Sequence, residues 1–341
     1  MLRKKEKEKL QMQLQNKILQ KTEKTFTETQ IPKKETQWKM FLDSKNLIIN
    51  YDNVLGQGSN ATVYKAIQRN TNYFQILRQN SKSLLNSNIV AAKIPTQFDS
   101  NQAEEFIREI NSLIFLNNHD NIITFLGWTM FGEIPVLITE LADTTLLTYV
   151  KGISKHENFL KPCLQFLWQI SHALEYISEK KMIHRDIACR NILIKDKTIA
   201  KLGDFGLCCF ADEKTGTFKD SFSQKFPIKW LSLEAITQCI FSEKSDVWAF
   251  GILCFEVFSF GSIPYSKMLN SEMIEFLQNG NRLEKPINAT EYIYELMLNC
   301  WRQNPNERPS FKEISKGIRI MLENETLKYG YLSLENVLDE V

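Results

Sequence analysis

The sequence has no apolar run of the roughly 20 residues that a membrane-spanning helix needs. The best candidate, residues 247–260, is too short and contains Glu256, so we predict a buried core helix there. The N-terminus is rich in Lys and Glu and has no apolar core segment, so we expect no signal peptide. Leu2 stands where N-myristoylation requires glycine.

Excess charge of one sign is also absent. The chain has 42 basic and 40 acidic residues, a net charge of +2, which gives no electrostatic reason to expect a nucleic-acid partner. The seven cysteines form no C-x-x-C pair and no zinc-spaced cluster, so we expect reduced thiols in the cytoplasm. With 341 residues, 43% of them hydrophobic, the chain can bury the core of two domains or of one bilobal domain.

Two polar motifs follow short apolar segments that read as strands. The first is His-Arg-Asp-Ile-Ala-Cys-Arg-Asn at 184–191, and the second is Asp-Phe-Gly at 204–206, after a strand at 199–202. Asp186 and Asn191 are close enough in sequence to point into one cavity from a single loop. Together with Asp204, they offer oxygen atoms that suit a hard divalent cation and a hydroxyl nucleophile.

These motifs resemble the catalytic loop and the metal-binding tripeptide of protein kinases. The resemblance implies an α+β, bilobal fold, with an antiparallel five-stranded N-lobe carrying one main helix and a mostly helical C-lobe. It places the N-lobe at 46–142, with a surface insertion at 68–88, and the C-lobe at 143–322. Residues 1–45 and 323–341 remain as polar tails.

The resemblance implies that Asp186 accepts the proton of the substrate hydroxyl, and that Asn191 and Asp204 hold Mg²⁺, with Mn²⁺ as an alternative. It also implies that Lys93, paired with Glu109, holds the phosphates of ATP. Lys93 lies in an apolar strand at 89–94, where a lysine needs a counter-charge. A predicted helix at 103–117 supplies this counter-charge through Glu109. By spacing, Glu104 and Glu105 could also pair with Lys93, but we expect them on a solvated face of the helix.

Strands at 47–54 and 63–67 flank a glycine-rich segment that starts at Gly56. Alone, this pattern also fits an ordinary hairpin. Ala61 stands where the family usually has a third glycine. Thr139 would guard the back of the adenine pocket, and the backbones of Glu140 and Ala142 would bind adenine. The implied nucleotide-binding set, besides Lys93, is Leu55, Gly56, Gln57, Gly58, Val63, Ala91, Thr139, Glu140, Ala142 and Leu193.

Several further matches extend the resemblance through the C-lobe. Glu234 is expected to pair with Arg308, and Asp246 to brace the backbone of the catalytic loop. His184 and Phe205 would stack with neighbouring apolar side chains in an internal column, although plain core packing predicts the same burial.

Tyrosine specificity is predicted by two matches. Ala188 replaces the lysine that Ser/Thr kinases usually carry two residues after the catalytic Asp, and Arg190 follows as a second catalytic-loop residue. Residues 226–231, with Pro227 and Trp230, resemble the shelf beneath the substrate phenol ring. The resemblance is therefore to the tyrosine kinase group, with a receptor-type lead-in at 38–47. A catalytically weak pseudokinase scaffold and a Ser/Thr kinase are the alternatives.

No tyrosine occurs between residues 207 and 226, where tyrosine kinases commonly carry their activating phosphorylation site. Phe218 stands at the expected place, so we hypothesise that activation does not use a loop phosphotyrosine.

The expected partners are protein substrates bearing tyrosine. Tyr329 and Tyr331 could dock phosphotyrosine-binding adaptors, or could lie in a merely solvated tail. The apolar stripe at 10–19 suits either a solvated marginal helix or a helix that docks on a partner or a membrane surface. The expected location is the cytoplasm, with the inner face of the plasma membrane as an alternative.

Overall fold

The computed structural model describes residues 40–58, 60–69, 89–96, 100–132, 134–153, 159–220 and 226–338. The predicted helix at 10–19, Trp38, Ser59 and nearly all of the predicted insertion lie outside these ranges. The chain divides into two compact units. The N-lobe comprises the described residues up to His119, Ile123–Ala142 and Phe205–Cys208, and the C-lobe comprises Asp120–Ile122, Asp143–Asp204 and the residues from Cys209 onward.

The N-lobe contains one antiparallel five-stranded sheet in the order β1-β2-β3-β5-β4, with one helix, α1, between β3 and β4, as predicted. Its core is aliphatic, and includes Ala92 and Ile138 at 0% exposure. The elements are β1 (Leu47–Gln57), β2 (Ala61–Gln68), β3 (Ile89–Pro95), α1 (Ser100–Leu116), β4 (Phe125–Phe131) and β5 (Ile134–Glu140).

Strands β1 and β2 are longer than predicted, because they continue pairing into the glycine-rich segment. Gly56 pairs with Val63, and Gln57 pairs with Thr62. The turn closes where the Gly58 N–H donates to the Ala61 carbonyl at 2.9 Å. The glycine-rich segment is therefore the tip of the β1–β2 hairpin, whose register shifts just before it, between Val54 and Gly56.

The lead-in segment packs on the N-lobe along the outer edge of the sheet. The Leu42 N–H donates to the Trp128 carbonyl at 2.8 Å, and the Trp128 N–H donates to the Met40 carbonyl at 3.0 Å. Gly127 permits this close approach, since a Cβ there would lie 2.6 Å from the Met40 carbonyl oxygen. Residues 40–42 are therefore packed on the N-lobe.

The C-lobe is mostly helical, as predicted, with short strands at its loops. Its helices are α2 (Leu146–Lys151), α3 (Leu160–Glu179), α4 (Leu233–Gln238), α5 (Glu243–Phe258), α6 (Asn270–Gln278), α7 (Glu291–Cys300) and α8 (Phe311–Leu338). Its strands are β6 (Thr144–Thr145), β7 (Met182–Ile183), β8 (Ile192–Lys195), β9 (Ile199–Leu202), β10 (Cys209–Phe210), β11 (Thr217–Lys219) and β12 (Ile240–Ser242).

Helix α5 is the buried core helix that the sequence predicts. Ser242 caps it, with its hydroxyl accepting from the N–H groups of Lys244 and Ser245. Gly251 lets the end of α7 approach, because a Cβ there would lie 2.5 Å from Trp301 Nε1. Within the described ranges, no helix has the length and apolar content to cross a membrane.

Helix α8 packs against α3 and continues into the segment that we expected to be a separate tail after residue 322. The backbone is helical as far as Leu338. Arg319 and Glu323, four residues apart, form an ion pair at 2.8 Å on the exposed face, which favours continuation of the helix.

Candidate active site

Lys93 and Glu109 form the ion pair that the sequence predicts within the N-lobe. Lys93 Nζ lies 3.0 Å from Oε1 and 2.8 Å from Oε2 of Glu109. The Glu109 side chain is 6% exposed and that of Lys93 is 23% exposed, so the ammonium is anchored from the buried side. Glu105, expected on a solvated face, is partly exposed and accepts a hydrogen bond from Asn60 Nδ2 at 3.0 Å.

The two glycines of the hairpin tip are not required by contacts within the described fold. A Cβ on Gly56 would meet nothing within 4 Å, and one on Gly58 would lie 3.6 Å from the Ala61 carbonyl. Leu55 beside them is 41% exposed, although it is apolar. Glycines with open space around them, next to an exposed leucine, are consistent with a segment whose backbone approaches a ligand closely.

The end of β5 is anchored by the side chain of Glu140, for which the sequence indicated a backbone role alone. Glu140 is 4% exposed, and its Oε1 accepts from the Thr124 N–H at 2.8 Å. The Glu140 N–H donates to the Thr124 carbonyl at 3.0 Å, and Thr139 Oγ1 donates to the Glu140 carbonyl at 3.2 Å. This fixes the direction in which the chain leaves β5 towards Ala142.

Asp186 is held by two residues of its own loop in the C-lobe. Asn191 Nδ2 donates to the Asp186 carbonyl at 2.8 Å and to its Oδ2 at 2.7 Å. Arg190 Nη2 donates to Asp186 Oδ1. A 3₁₀ turn at Cys189–Asn191 brings Arg190 and Asn191 back to Asp186.

Burial raises the pKa of Asp186, and the charge of Asp204 raises it further, while Arg190 and Asn191 lower it. The two carboxylates are therefore within electrostatic reach of one another, as predicted. Asp204 has a φ of 60°, a conformation that non-glycine residues seldom adopt and that occurs often at functional sites. Next to it, the Gly203 N–H donates to the Asn191 carbonyl at 2.9 Å and ties both predicted metal ligands together.

The donor set fits a divalent cation that also binds phosphates. The Asn191 amide nitrogen is engaged with Asp186, which leaves its oxygen as the donor atom for a cation, and Asp204 supplies a carboxylate. Across the ranges that the structure describes, no cluster of three His, Cys, Asp or Glu residues forms a cage for a metal. Two oxygen ligands from the protein, completed by phosphate oxygens, are typical of Mg²⁺.

Asp246 braces the loop from helix α5, as predicted. Its Oδ2 accepts from the His184 N–H at 2.6 Å and its Oδ1 from the Arg185 N–H at 2.9 Å. Burial raises the pKa of Asp246 to about 7, against the opposing effect of these two donors. His184 is completely buried, which lowers its pKa to about 4, so it is neutral near pH 7.

Trp230 lies next to this loop, on a 3₁₀ turn at Ile228–Trp230. The Arg190 guanidinium carbon lies 4.5 Å from the centroid of the Trp230 ring, a cation–π contact. Lys229 Nζ donates to the Tyr265 carbonyl at 2.7 Å and fixes the other end of the turn. The predicted shelf and the predicted proton acceptor are thus joined through Arg190.

Glu234 and Arg308 form the predicted bidentate pair, with distances of 2.6 and 3.0 Å. The Arg308 side chain is 0% exposed and also contacts the Trp248 ring at 5.0 Å. Arginine and carboxylate groups in this geometry match each other with two parallel hydrogen bonds. The pair fixes the start of α4 to the segment before α8.

We expect Glu234→Ala to lower the free energy of unfolding by about 3 kcal/mol, because it leaves the buried Arg308 cation without its carboxylate. Urea titration followed by far-UV circular dichroism measures this change. The exposed pair of Arg319 and Glu323 provides the control, since Glu323→Ala should cost no more than about 0.5 kcal/mol. Equal losses in the two variants would contradict this assignment.

Comparison with known proteins assigns the family. The family described as protein tyrosine and serine/threonine kinase matches residues 49–318. The chain belongs to this kinase family. It is 33% identical over 319 residues to a putative tyrosine-protein kinase of Caenorhabditis elegans, covering 86% of this chain and 36% of that protein.

Two further relatives carry similar names. The tyrosine-protein kinase Srms of Homo sapiens is 38% identical over 61% of this chain and 42% of its own length. The tyrosine-protein kinase transforming protein Abl of Abelson murine leukemia virus is 36% identical over 67% of this chain and 30% of its own length. The chain therefore spans less than half the length of these relatives.

Kinases of this family use ATP and a divalent metal ion in general. The nucleotide-binding residues that we predict up to Ala142 belong to the N-lobe, whereas Asp186, Asn191, Leu193 and Asp204 belong to the C-lobe. The pseudokinase alternative is not favoured. The individual roles in binding and catalysis stay predictions.

Proposed function

We propose that this kinase domain transfers the γ-phosphoryl group of ATP to tyrosine hydroxyls of protein substrates. The observation that carries the proposal is the position of Arg190, which bonds the Asp186 carboxylate and stacks on Trp230. The position two residues after Asp186 is Ala188, where a lysine would indicate a Ser/Thr kinase. A flat ring beside the proton acceptor supports a phenol substrate.

The transfer is an in-line displacement. The tyrosine oxygen forms a bond to the γ-phosphorus as the bond from that phosphorus to the bridging oxygen breaks, and ADP leaves with the electron pair. Asp186 orients the hydroxyl and accepts its proton, which then passes to water. Arg190 and Asn191 hold the Asp186 carboxylate in place throughout.

Lys93, fixed by Glu109, would hold the nucleotide phosphates, and the backbone of the hairpin tip would cover them. Asn191 and Asp204 would hold the divalent cation, for which we propose Mg²⁺, with Mn²⁺ as a substitute. The cation, when bound, neutralises charge that develops on the phosphate oxygens. Activity in Mg²⁺ and in Mn²⁺ after removal of metal with a chelator tests this choice.

Paired peptides test the substrate class. Each pair shares one sequence and differs only in the acceptor, which is Tyr in one peptide and Ser in the other. We expect phosphotyrosine in the presence of Mg-ATP and no phosphoserine above the Asp186→Asn background. Phosphorylation of the Ser peptides at equal or higher rates would replace this proposal with a Ser/Thr kinase.

We propose that the protein works in the cytoplasm, either free or at the inner face of the plasma membrane. Cys163, Cys189, Cys254 and Cys300 are buried as free thiols, which supports a reducing compartment. Fractionation of cells that express the full-length protein tests the location, and recovery from the secreted fraction would contradict it.

We further propose that Tyr329 and Tyr331, at the end of the chain, are docking sites for phosphotyrosine-binding adaptors. The proposal is supported by the acidic residues near them in sequence. Mass spectrometry after autophosphorylation, and then capture of adaptor domains by the phosphorylated but not the unphosphorylated segment, tests it. An unmodified segment in the active enzyme would contradict it.

A further inference from the structure

Glu256 is a carboxylic acid in the middle of an otherwise apolar stretch of helix α5. It is 3% exposed, and its helical neighbours Val257 and Phe258 are 0% exposed. Buried glutamates are rare in proteins unless they are paired. The partners of Glu256 therefore indicate why the fold accommodates it.

One oxygen of Glu256 joins two segments of the candidate active site. Oε2 accepts a hydrogen bond at 2.9 Å from the N–H of Cys189, a residue of the catalytic loop. The same oxygen accepts a hydrogen bond at 3.0 Å from Nε1 of Trp230, a residue of the substrate shelf. Helix α5 therefore fixes both segments through a single atom.

The charges around Glu256 belong to the same site. Burial raises its pKa, the Arg190 cation lowers it, and the Asp186 anion raises it further. Arg190 in turn bonds Asp186 and stacks on Trp230. These contacts link Asp186, Arg190, Trp230, Glu256 and Cys189 in sequence, and the chain between Asp186 and Cys189 joins the two ends.

We propose that Glu256 is a positioning residue that sets the orientation of the Trp230 ring and, through it, of Arg190 and Asp186. The proposal rests on the proposed tyrosine kinase function, because the shelf that it fixes is the one for the phenol ring. The hydrogen bonds of Glu256 go to the catalytic loop and to the shelf, which act on the peptide substrate in the proposed function. Its loss should therefore act on the peptide substrate and on kcat, but leave the KM for ATP unchanged.

Glu256→Met and Glu256→Gln distinguish positioning from bulk packing. Met fills the space but accepts no hydrogen bond from either N–H, and we expect it to lower kcat/KM for a tyrosine peptide at least about 10-fold. Gln keeps an oxygen that can accept from both donors, and should restore the value to within about 3-fold of the unmodified chain. Trp230→Phe keeps a ring for Arg190 but removes the Nε1–H, and should lose up to about 10-fold.

The Trp230→Phe and Glu256→Met changes should not be additive, since each removes the same hydrogen bond. A folded Glu256→Met protein with unchanged peptide kcat/KM would overturn the proposal, as would a loss confined to the KM for ATP. If Glu256→Met does not fold, Trp230→Phe tests the proposal instead. Unchanged peptide kinetics in the Trp230→Phe variant would overturn the proposal. An inactive unmodified chain would instead overturn the proposed function.

A separate observation concerns Arg185, whose side chain is 0% exposed. Its guanidinium carbon lies 5.2, 5.3 and 5.1 Å from the ring centroids of Phe218, Phe226 and Phe241. A cation buried among aromatic rings needs a carboxylate or an equivalent anion.

Asp220, in the loop between the metal motif and the shelf, supplies that anion. Its Oδ2 lies 2.6 Å from Arg185 Nη1, and its side chain is 14% exposed. The preceding strand β11 pairs with β12, Phe218 opposite Phe241, and the Asp220 N–H donates to the Cys239 carbonyl at 3.0 Å. The described part of the loop is thus held on the C-lobe by backbone pairing and by the Arg185–Asp220 ion pair.

In kinases, the activation loop is ordered when a phosphorylated residue pairs with arginine. Here that loop has no tyrosine, and the arginine, Arg185, is already paired with the carboxylate of Asp220. We infer that Asp220 supplies permanently the negative charge that a loop phosphate would otherwise supply. The inference rests on the proposed function, and it predicts a kinase that is active without loop phosphorylation.

The test uses phosphatase-treated protein, with the loop verified as unmodified by mass spectrometry. Asp220→Asn removes the charge at nearly constant size and should lower peptide phosphorylation at least about 10-fold. Asp220→Glu should recover part of that loss. Asp212→Asn is the matched control, since Asp212 lies in the same loop and its carboxylate accepts from Lys214 and Thr215 of that loop. The activity of this variant should stay within about 2-fold of the unmodified chain.

Hydrogen exchange gives a second measurement, because amides of residues 209–220 should exchange faster in Asp220→Asn while those of α3 and α5 do not change. An Asp220→Asn protein as active as the unmodified chain would overturn the inference. So would an unmodified chain that gains activity only when its loop is phosphorylated. An unmodified chain that is inactive in every state would overturn the proposed function instead.

Discussion

Asp186→Asn is expected to reduce phosphorylation of a tyrosine peptide by about 100-fold or more, since the amide cannot accept the proton of the substrate hydroxyl. An asparagine at this position has nearly the same size and keeps one side-chain oxygen, which can accept from Arg190. Asn191 can still donate to the backbone carbonyl of residue 186, so the loop geometry should persist. The measurement is kcat with saturating peptide and ATP.

Nucleotide binding provides the control for this variant. The residues that we predict to hold the phosphates and the adenine are different from Asp186, so ATP should raise the thermal unfolding midpoint of both proteins similarly. A loss of activity accompanied by a loss of ATP binding would indicate a structural role. Activity within a few-fold of the unmodified chain would contradict the assignment of Asp186 as proton acceptor.

Lys93→Met should give the second large effect, a fall in kcat/KM for ATP on the order of 100-fold or more. The substitution keeps the length and the apolar stem of the side chain but removes the ammonium. The Glu109 carboxylate, 6% exposed, also loses that cation. Steady-state kinetics with varied ATP measure the change.

Lys65→Met is the matched control, because Lys65 lies on the neighbouring strand β2, with its Cα opposite that of Ala91 in β3. The same substitution in the same sheet should leave kcat/KM for ATP within about 2-fold, because Lys65 is half-buried and is not among the residues that we predict to bind ATP. Similar losses at Lys65 and Lys93 would show that damage to the sheet, rather than the missing ammonium, lowers the activity.

The sequence predicted the fold because its strongest signals are local. The run at 184–191 and the tripeptide at 204–206 lie at a spacing that resembles the kinase family, and the rest of the N-lobe and C-lobe followed from that resemblance. The strand at Ile199–Leu202 was predicted with the bounds that the structure has. Apolar periodicity is sufficient for such elements.

The contacts of Glu256 and Asp220 were harder to predict, because they join residues that are distant in sequence and the family resemblance did not indicate them. Glu256 was visible as a carboxylate in an apolar stretch, but its two partners lie 67 and 26 residues away. Nothing in the sequence indicated that Asp220 pairs with Arg185, since the pairing of β11 with β12 brings the two residues together. The C-terminal end of α8 was not predicted, because the polar residues after 322 are compatible both with a helix and with a solvated tail.

The central claim is that the Asp186 carboxylate, held by Arg190 and Asn191, takes part in phosphoryl transfer to tyrosine. The most direct measurement incubates the purified chain and its Asp186→Asn variant, prepared side by side, with γ-labelled Mg-ATP and one tyrosine peptide. We predict labelled phosphotyrosine from the unmodified chain, at a rate about 100-fold or more above that of the variant. A folded, ATP-binding chain that transfers no label, or equal labelling by both proteins, would contradict the account.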